Sequence, residues 1–157
     1  MKPRVYVETS IVSYLTARPC NDLRVAANQS TTIEWWERHR LRYDLYVSEF
    51  VIAEAGLGDG EAAAKRLSIV TSVPALEVTE EVRVLGKLLV SEGPIPVKAE
   101  IDAYHIAVAA INGMDYLLTW NCTHIANAAI RSRIEETCRR HGIEPPIICT
   151  PLELFED

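Results

Sequence analysis

The sequence lacks several features that mark particular classes of protein. Its 157 residues contain no apolar run approaching the roughly 20 residues of a membrane helix. No long apolar segment followed by a small-residue cleavage site stands near the N-terminus. We therefore expect no membrane span and no signal peptide, and we expect a cytoplasmic location.

Cysteine pairs and a basic charge balance are also missing. The four cysteines form no Cys-x-x-Cys pair, so a disulfide framework or a structural zinc site is not expected. Lysine and arginine number 16 against 22 acidic residues, and the net charge of −6 argues against a protein that coats nucleic acid by charge alone. The balance still permits an enzyme that holds cations in an acidic pocket and grips nucleic acid through a small basic patch.

The composition itself is that of a folded chain. Hydrophobic residues make up 48% and charged residues 24%, and the mean hydropathy is +0.03. These values exclude a disordered chain, which would be poor in apolar residues. The length predicts one domain over residues 1–157.

Short β-rich runs alternate with helical periodicity along the whole chain. Helices are expected between the strands, and the segment 97–112, followed by Gly113, has the best amphipathic pattern. Strands separated by helices predict an α/β fold with a central, mostly parallel sheet and helices on both faces. The predicted strands are residues 4–8, 45–47, 76–78, 116–119 and 146–149.

Polar side chains follow two of these predicted strands, where ligands bind in open parallel sheets. Glu8 ends the first strand, and Asn121 follows the fourth. Glu54 and Asp102 lie in predicted helices, where each is also explained as a solvated acid. Several oxygen donors without a histidine or thiolate cluster suit a hard cation such as Mg²⁺ or Mn²⁺.

Four blocks of sequence resemble the PIN-domain family, and in particular its toxins of the VapC type. The blocks stand in the family's order and span about residues 4–125. They are residues 5–14 (VYVETSIVSY), 48–54 (SEFVIAE), 101–109 (IDAYHIAVA) and 116–121 (YLLTWN).

The resemblance implies a three-layer α/β/α sandwich and a ribonuclease site dependent on Mg²⁺ or Mn²⁺. Glu8, Glu54 and Asp102 carry over as metal-binding carboxylates, and Ser10 as a side chain that positions water or metal. Asn121 stands at the fourth motif position, which is often acidic, and Glu8 stands where the family usually has aspartate. RNA is the implied substrate, and a cognate antitoxin is the implied partner.

Other candidates follow from residue type alone. Trp120 flanks the proposed site and is able either to stack on an unpaired base or to pack on a neighbouring helix. His105 is interpreted as a structural histidine.

The Trp35–Trp36 region and the apolar helices suggest a homodimer. The candidate phosphate contacts are Arg18, Arg24, Arg38, Arg40, Arg42, Lys98, Arg131 and Arg133.

Two functions from different classes therefore remain. The first is a metal-dependent endoribonuclease that cleaves single-stranded RNA, as the toxin of a toxin–antitoxin pair. The second is a catalytically weakened module of the same fold that binds RNA or protein, because Glu8 and Asn121 depart from the motif. A Rossmann-like nucleotide binder lacks support, since Glu-Thr-Ser follows the first strand in place of a Gly-x-Gly-x-x-Gly loop.

Overall fold

The computed structural model describes residues 1–156, which form four strands and seven α-helices. Short 3₁₀ turns at Arg40–Arg42, Val97–Ala99 and Pro151–Glu153 connect some of them. In chain order the elements are β1 (Arg4–Val7), α1 (Thr9–Thr16), α2 (Leu23–Arg38), β2 (Asp44–Tyr46), α3 (Glu49–Ala55), α4 (Gly60–Val70), α5 (Glu80–Ser91), α6 (Glu100–Ile111), β3 (Tyr116–Leu118), α7 (Ala128–Arg140) and β4 (Ile147–Cys149).

The sheet has the strand order β2-β1-β3-β4, and all three strand pairs are parallel. Val5 of the central strand β1 pairs with Leu45 on one side and with Tyr116 on the other. The strand β1 is apolar and its last three residues are buried, as expected of a parallel strand covered on both faces. The expected α/β fold with a parallel sheet is confirmed. Because the strands run in one direction, their carboxyl ends meet at one edge.

The strand expected at residues 76–78 is absent. The segment makes a single parallel bridge, between Val47 and Ala75, and the Leu76 N–H donates to the Val47 carbonyl over 2.7 Å. Pro74, the residue before Ala75, has no N–H to extend the ladder. Leu76 is buried in the core. Its apolar side chain therefore contributes to core packing, although the segment does not pair as a strand.

The helix expected at residues 97–112 begins later and is less amphipathic than its sequence suggests. Residues 97–99 form a 3₁₀ turn, and α6 follows from Glu100. Every residue from 105 to 110 is buried, so this part of α6 is surrounded by protein. Three alanines among those six residues leave room for neighbouring elements to approach closely.

A glycine on α5 allows one of these close approaches. Gly86 faces Tyr104 of α6, and a Cβ atom added to Gly86 would lie 2.5 Å from the Tyr104 Cε1 atom. The Tyr104 ring is itself stacked on Phe50, with ring centroids 5.4 Å apart. The close approach of α5 and α6 therefore depends on the missing side chain at residue 86.

None of the helices in residues 1–156 is both long and apolar enough to cross a membrane.

We expect Gly86→Ala to lower the free energy of unfolding by about 1–3 kcal/mol, because the new methyl group overlaps the Tyr104 ring. Alanine is the better helix former by about 1 kcal/mol, so a change governed by helix propensity alone would have the opposite sign. Urea unfolding followed by circular dichroism measures the difference. Gly60→Ala is the matched control, since a Cβ at Gly60 would meet nothing within 4 Å. Equal stability of Gly86→Ala and the wild type would show that α5 and α6 do not pack as described.

Candidate metal centre

Glu8 lies at the centre of the polar edge of the sheet. Its backbone N–H donates to the Leu118 carbonyl over 3.1 Å, so it continues the pairing of β1 with β3. The side chain is buried, and its Oε1 atom accepts two hydrogen bonds, from Ser10 Oγ at 2.5 Å and from Thr119 Oγ1 at 2.6 Å. Two donors from different elements therefore hold one carboxylate oxygen.

Glu54 reaches the same place from α3. Its Oε1 atom accepts from Thr9 Oγ1 at 2.6 Å and contacts His105 Nε2 at 2.5 Å. Burial raises the pKa of Glu54, but the hydrogen bonds from His105 and Thr9 outweigh burial and hold the pKa below its usual value. Glu54 is therefore ionised at neutral pH.

The His105 ring is fully buried between Glu54 and Tyr6. Its Nδ1 atom lies 2.7 Å from the Tyr6 hydroxyl oxygen, which also lies 2.7 Å from Ser48 Oγ. Burial holds the pKa of Tyr6 well above its usual value, so its hydroxyl keeps its proton. Ser48 is the N-cap residue of α3 and accepts from the Phe50 N–H.

Glu8, Glu54 and His105 form a compact group of possible metal ligands. One atom from each residue lies within 4.8 Å of the others. Among residues 1–156, all hydrogen bonds to the two carboxylates end on Oε1, which leaves each Oε2 atom available. Two neighbouring carboxylates repel each other, and a divalent cation between them would remove that repulsion. The two carboxylates are oxygen donors of the kind that a hard cation takes.

Asp102 occupies a neighbouring position on α6, one turn before His105. It does not belong to the group of three ligands that lie within 4.8 Å of one another. Its Oδ2 atom lies 3.1 Å from Nδ1 of His124, and the side chain is only 14% exposed. Residues three apart share a helix face, so Asp102 and His105 both face the polar edge of the sheet.

Ser10 and Asn121 organise the backbone around the acids. Ser10 Oγ donates to Glu8 and accepts from the Trp120 N–H over 2.8 Å. Asn121 uses its side-chain Oδ1 to accept from the His124 N–H over 3.0 Å. The amide therefore shapes the turn that places the His124 ring next to Asp102.

Trp120 packs against the protein rather than standing free. Its Nε1 atom donates to Thr32 Oγ1 over 2.7 Å, and its ring stacks on Tyr14 with centroids 5.9 Å apart. The packing interpretation of Trp120 holds in this structure. Among the basic candidates, Arg38 pairs with Glu34 and Arg42 with Glu156 on the surface.

Three polar residues that contact the two glutamates were not among the predicted site residues. Thr9 and Thr119 supply hydroxyl donors to the two glutamates, and His105 contacts Glu54. His105 had been interpreted as structural. The available signal was the spacing of three residues between Asp102 and His105, which places both on one helix face. The contacts of the threonines with acids far away in the chain left no local pattern.

Comparison with solved structures shows the fold. The crystal structure of VapC20 from Mycobacterium tuberculosis, a toxin that cleaves the sarcin–ricin loop, matches with a TM-score of 0.54 and 19% sequence identity. The match covers 76% of this chain and 91% of that one. No protein-family model and no curated protein match the sequence. The likeness confirms the PIN-like fold that the four sequence blocks predict.

We expect Thr119→Val to lower the free energy of unfolding by about 1–3 kcal/mol in EDTA, because the buried Glu8 carboxylate loses one of its two donors. Valine matches threonine in shape but lacks the hydroxyl group. Thr119→Ser is the control, since it keeps the donor and loses one buried methyl group, at about 0.8 kcal/mol. Chemical unfolding compares the three proteins. A serine variant less stable than the valine variant would contradict the role of the hydroxyl.

Proposed function

We propose that this chain is a metal-dependent endoribonuclease that hydrolyses phosphodiester bonds of single-stranded RNA, as the toxin of a toxin–antitoxin pair. The observation that carries the proposal is the approach of Glu8 and Glu54 within 4.8 Å at the carboxyl edge of a parallel sheet. The likeness in fold to a toxin described as cleaving the sarcin–ricin loop supports the same class of substrate.

Mg²⁺ or Mn²⁺ is the proposed cofactor, held by Glu8, Glu54 and Asp102. When bound, such a cation polarises a phosphoryl oxygen and lowers the pKa of an attacking water. The free Oε2 atoms of the two glutamates are the proposed ligand atoms, since their Oε1 atoms are occupied by hydrogen bonds. Asp102 Oδ1 makes no hydrogen bond among residues 1–156, whereas Oδ2 faces His124.

The remaining polar groups hold these ligands in place. Ser10 and Thr119 fix the Glu8 carboxylate, and Thr9 fixes that of Glu54. Because these hydrogen bonds already fix the two carboxylates, the site does not need to reorganise when charge develops on the substrate. Asn121 contributes through the turn that presents His124 to Asp102. We propose no covalent intermediate, since water is the nucleophile.

We expect Glu8→Gln and Asp102→Asn each to reduce RNA cleavage in Mn²⁺ by about 100-fold or more, because each removes one negative charge from the cation site. A fluorogenic single-stranded RNA measures cleavage, and calorimetry measures Mn²⁺ affinity. Glu49→Gln is the matched control. Its carboxylate lies on α3 like that of Glu54, but it is 60% exposed and pairs with Arg83 on the surface.

Three results would count against the proposal. Cleavage by Asp102→Asn at the wild-type rate would remove Asp102 from the mechanism. Cleavage that survives EDTA would exclude the metal mechanism. A wild type that binds RNA without cutting it in either Mg²⁺ or Mn²⁺ would favour the weakened binding module.

An antitoxin protein and a second copy of this chain are the proposed partners. Trp35 is not available to either of them, because its ring is fully buried, stacks on Tyr43 and donates to the Leu154 carbonyl over 2.9 Å. Trp36 is only partly buried, and the Arg40 guanidinium lies 5.3 Å from its ring centroid. Of the two tryptophans that suggested self-association, only Trp36 has a partly exposed side chain that a partner is able to contact.

We expect light scattering at micromolar concentration to give twice the 17.6 kDa mass of the chain. Trp36→Ala tests whether the tryptophan contributes, and it should shift the mass towards that of one chain. A wild-type mass of one chain across the micromolar range would contradict the homodimer.

A further inference from the structure

Four polar side chains form a continuous row of hydrogen bonds beside the metal centre. Ser48 contacts Tyr6 at 2.7 Å, Tyr6 contacts His105 Nδ1 at 2.7 Å, and His105 Nε2 contacts Glu54 at 2.5 Å. Ser48, Tyr6 and His105 are each 0% exposed. The row begins at the N-cap of α3 and returns to the same helix at Glu54, and it passes through β1 and α6 on the way.

The direction of the protons along this row follows from the groups at its start. Ser48 Oγ accepts the Phe50 N–H, and Tyr6 is the one acceptor within residues 1–156 that its own proton reaches. A buried hydroxyl proton without an acceptor is costly, so Ser48 donates to Tyr6. The Tyr6 proton must then be donated to Nδ1 of His105.

The ring of His105 is set by the same logic. Because Nδ1 accepts from Tyr6, the ring proton of a neutral imidazole sits on Nε2. That proton points to Oε1 of Glu54, which accepts it over 2.5 Å. A ring held in this tautomer has no lone pair on Nε2 for a cation.

We propose that His105 is a positioning residue that holds Glu54 through its Nε2–H, with its tautomer set by Ser48 and Tyr6, and that it is not a metal ligand. Proximity alone would favour the opposite, since His105 lies within 4.8 Å of both glutamates. The proposal deepens the proposed function, since it assigns the cation to carboxylate oxygens. The proton arrangement itself holds whether or not RNA is the substrate.

The sequence contains a trace of this arrangement. Tyr6 and Glu8 are two residues apart on an extended backbone, so their side chains share one face of the sheet. One of them supplies a carboxylate to the cation site, and the other supplies the hydrogen bond that orients the histidine holding the second carboxylate.

Nitrogen-15 NMR of the histidine-labelled, metal-free protein tests the tautomer directly. We expect His105 to show a protonated Nε2 and an unprotonated Nδ1, with the signals assigned by their loss in His105→Gln. Tyr6→Phe should shift the Nδ1 resonance, because it removes the donor. Saturating Mg²⁺ should leave the Nε2 proton in place. A protonated Nδ1, or loss of the Nε2 proton on addition of Mg²⁺, would overturn the proposal.

Calorimetry with Mn²⁺ provides the second readout. Loss of a group that orients a metal ligand costs about 10- to 100-fold in affinity, so His105→Leu should bind Mn²⁺ that much more weakly. His105→Gln should recover most of the affinity, since its amide N–H still reaches Glu54. Wild-type affinity in His105→Leu would overturn the proposal. If His105→Leu does not fold, Tyr6→Phe takes its place, with weaker Mn²⁺ binding expected and unchanged binding contradicting the role.

The two levels of the proposal fail separately. A wild type that binds no Mn²⁺ and cuts no RNA would overturn the proposed function, while the NMR spectrum still decides the tautomer of His105. A wild type that cuts RNA while Mg²⁺ displaces the Nε2 proton would retain the nuclease and make His105 a ligand.

Discussion

Two ionisable carboxylates within 4.8 Å of each other are the constraint around which this edge of the protein is built. Like charges at that distance raise the free energy of the folded chain unless donors or a cation offset them. The protein supplies two donors to one oxygen of each acid. Of these four donors, three are hydroxyl groups and one is a histidine N–H. The second oxygen of each acid remains available, which is the condition a metal site requires.

Those donors reach the acids because three elements end or begin at one place. The carboxyl ends of β1 and β3 bring Glu8 and Thr119 together, and the first turn of α1 adds Thr9 and Ser10. The helix α6 completes the site with His105. It reaches this position because its alanines and Gly86 of α5 permit close packing. The precision of the polar edge therefore depends on apolar packing some distance from it.

The fourth motif position shows how a polar substitution is used. The side-chain oxygen of Asn121 accepts a hydrogen bond from the His124 N–H, and the His124 ring lies 3.1 Å from Asp102. An aspartate at residue 121 is able to accept the same hydrogen bond and would add a negative charge to the turn that carries His124. The amide keeps the turn without adding a charge, and the turn places the His124 ring next to Asp102.

The α/β class, the parallel sheet and the order of the polar motifs were predictable from the sequence, because strand and helix periodicity and residues at strand ends are local signals. The sequence also placed Glu8 and Glu54 in one site through the motif resemblance. The prediction of a strand at residues 76–78 was wrong, because the apolar Leu76 is buried without forming a strand. The helix α6 was predicted to be amphipathic, but its centre is buried on all sides. The tertiary structure alone decided which donor serves which acid. Thr9 and His105 lie 45 and 51 residues from Glu54, and Thr119 lies 111 residues from Glu8. Hydrogen bonds over such separations leave no periodic trace in the chain, since their geometry exists only once the sheet and α6 have packed.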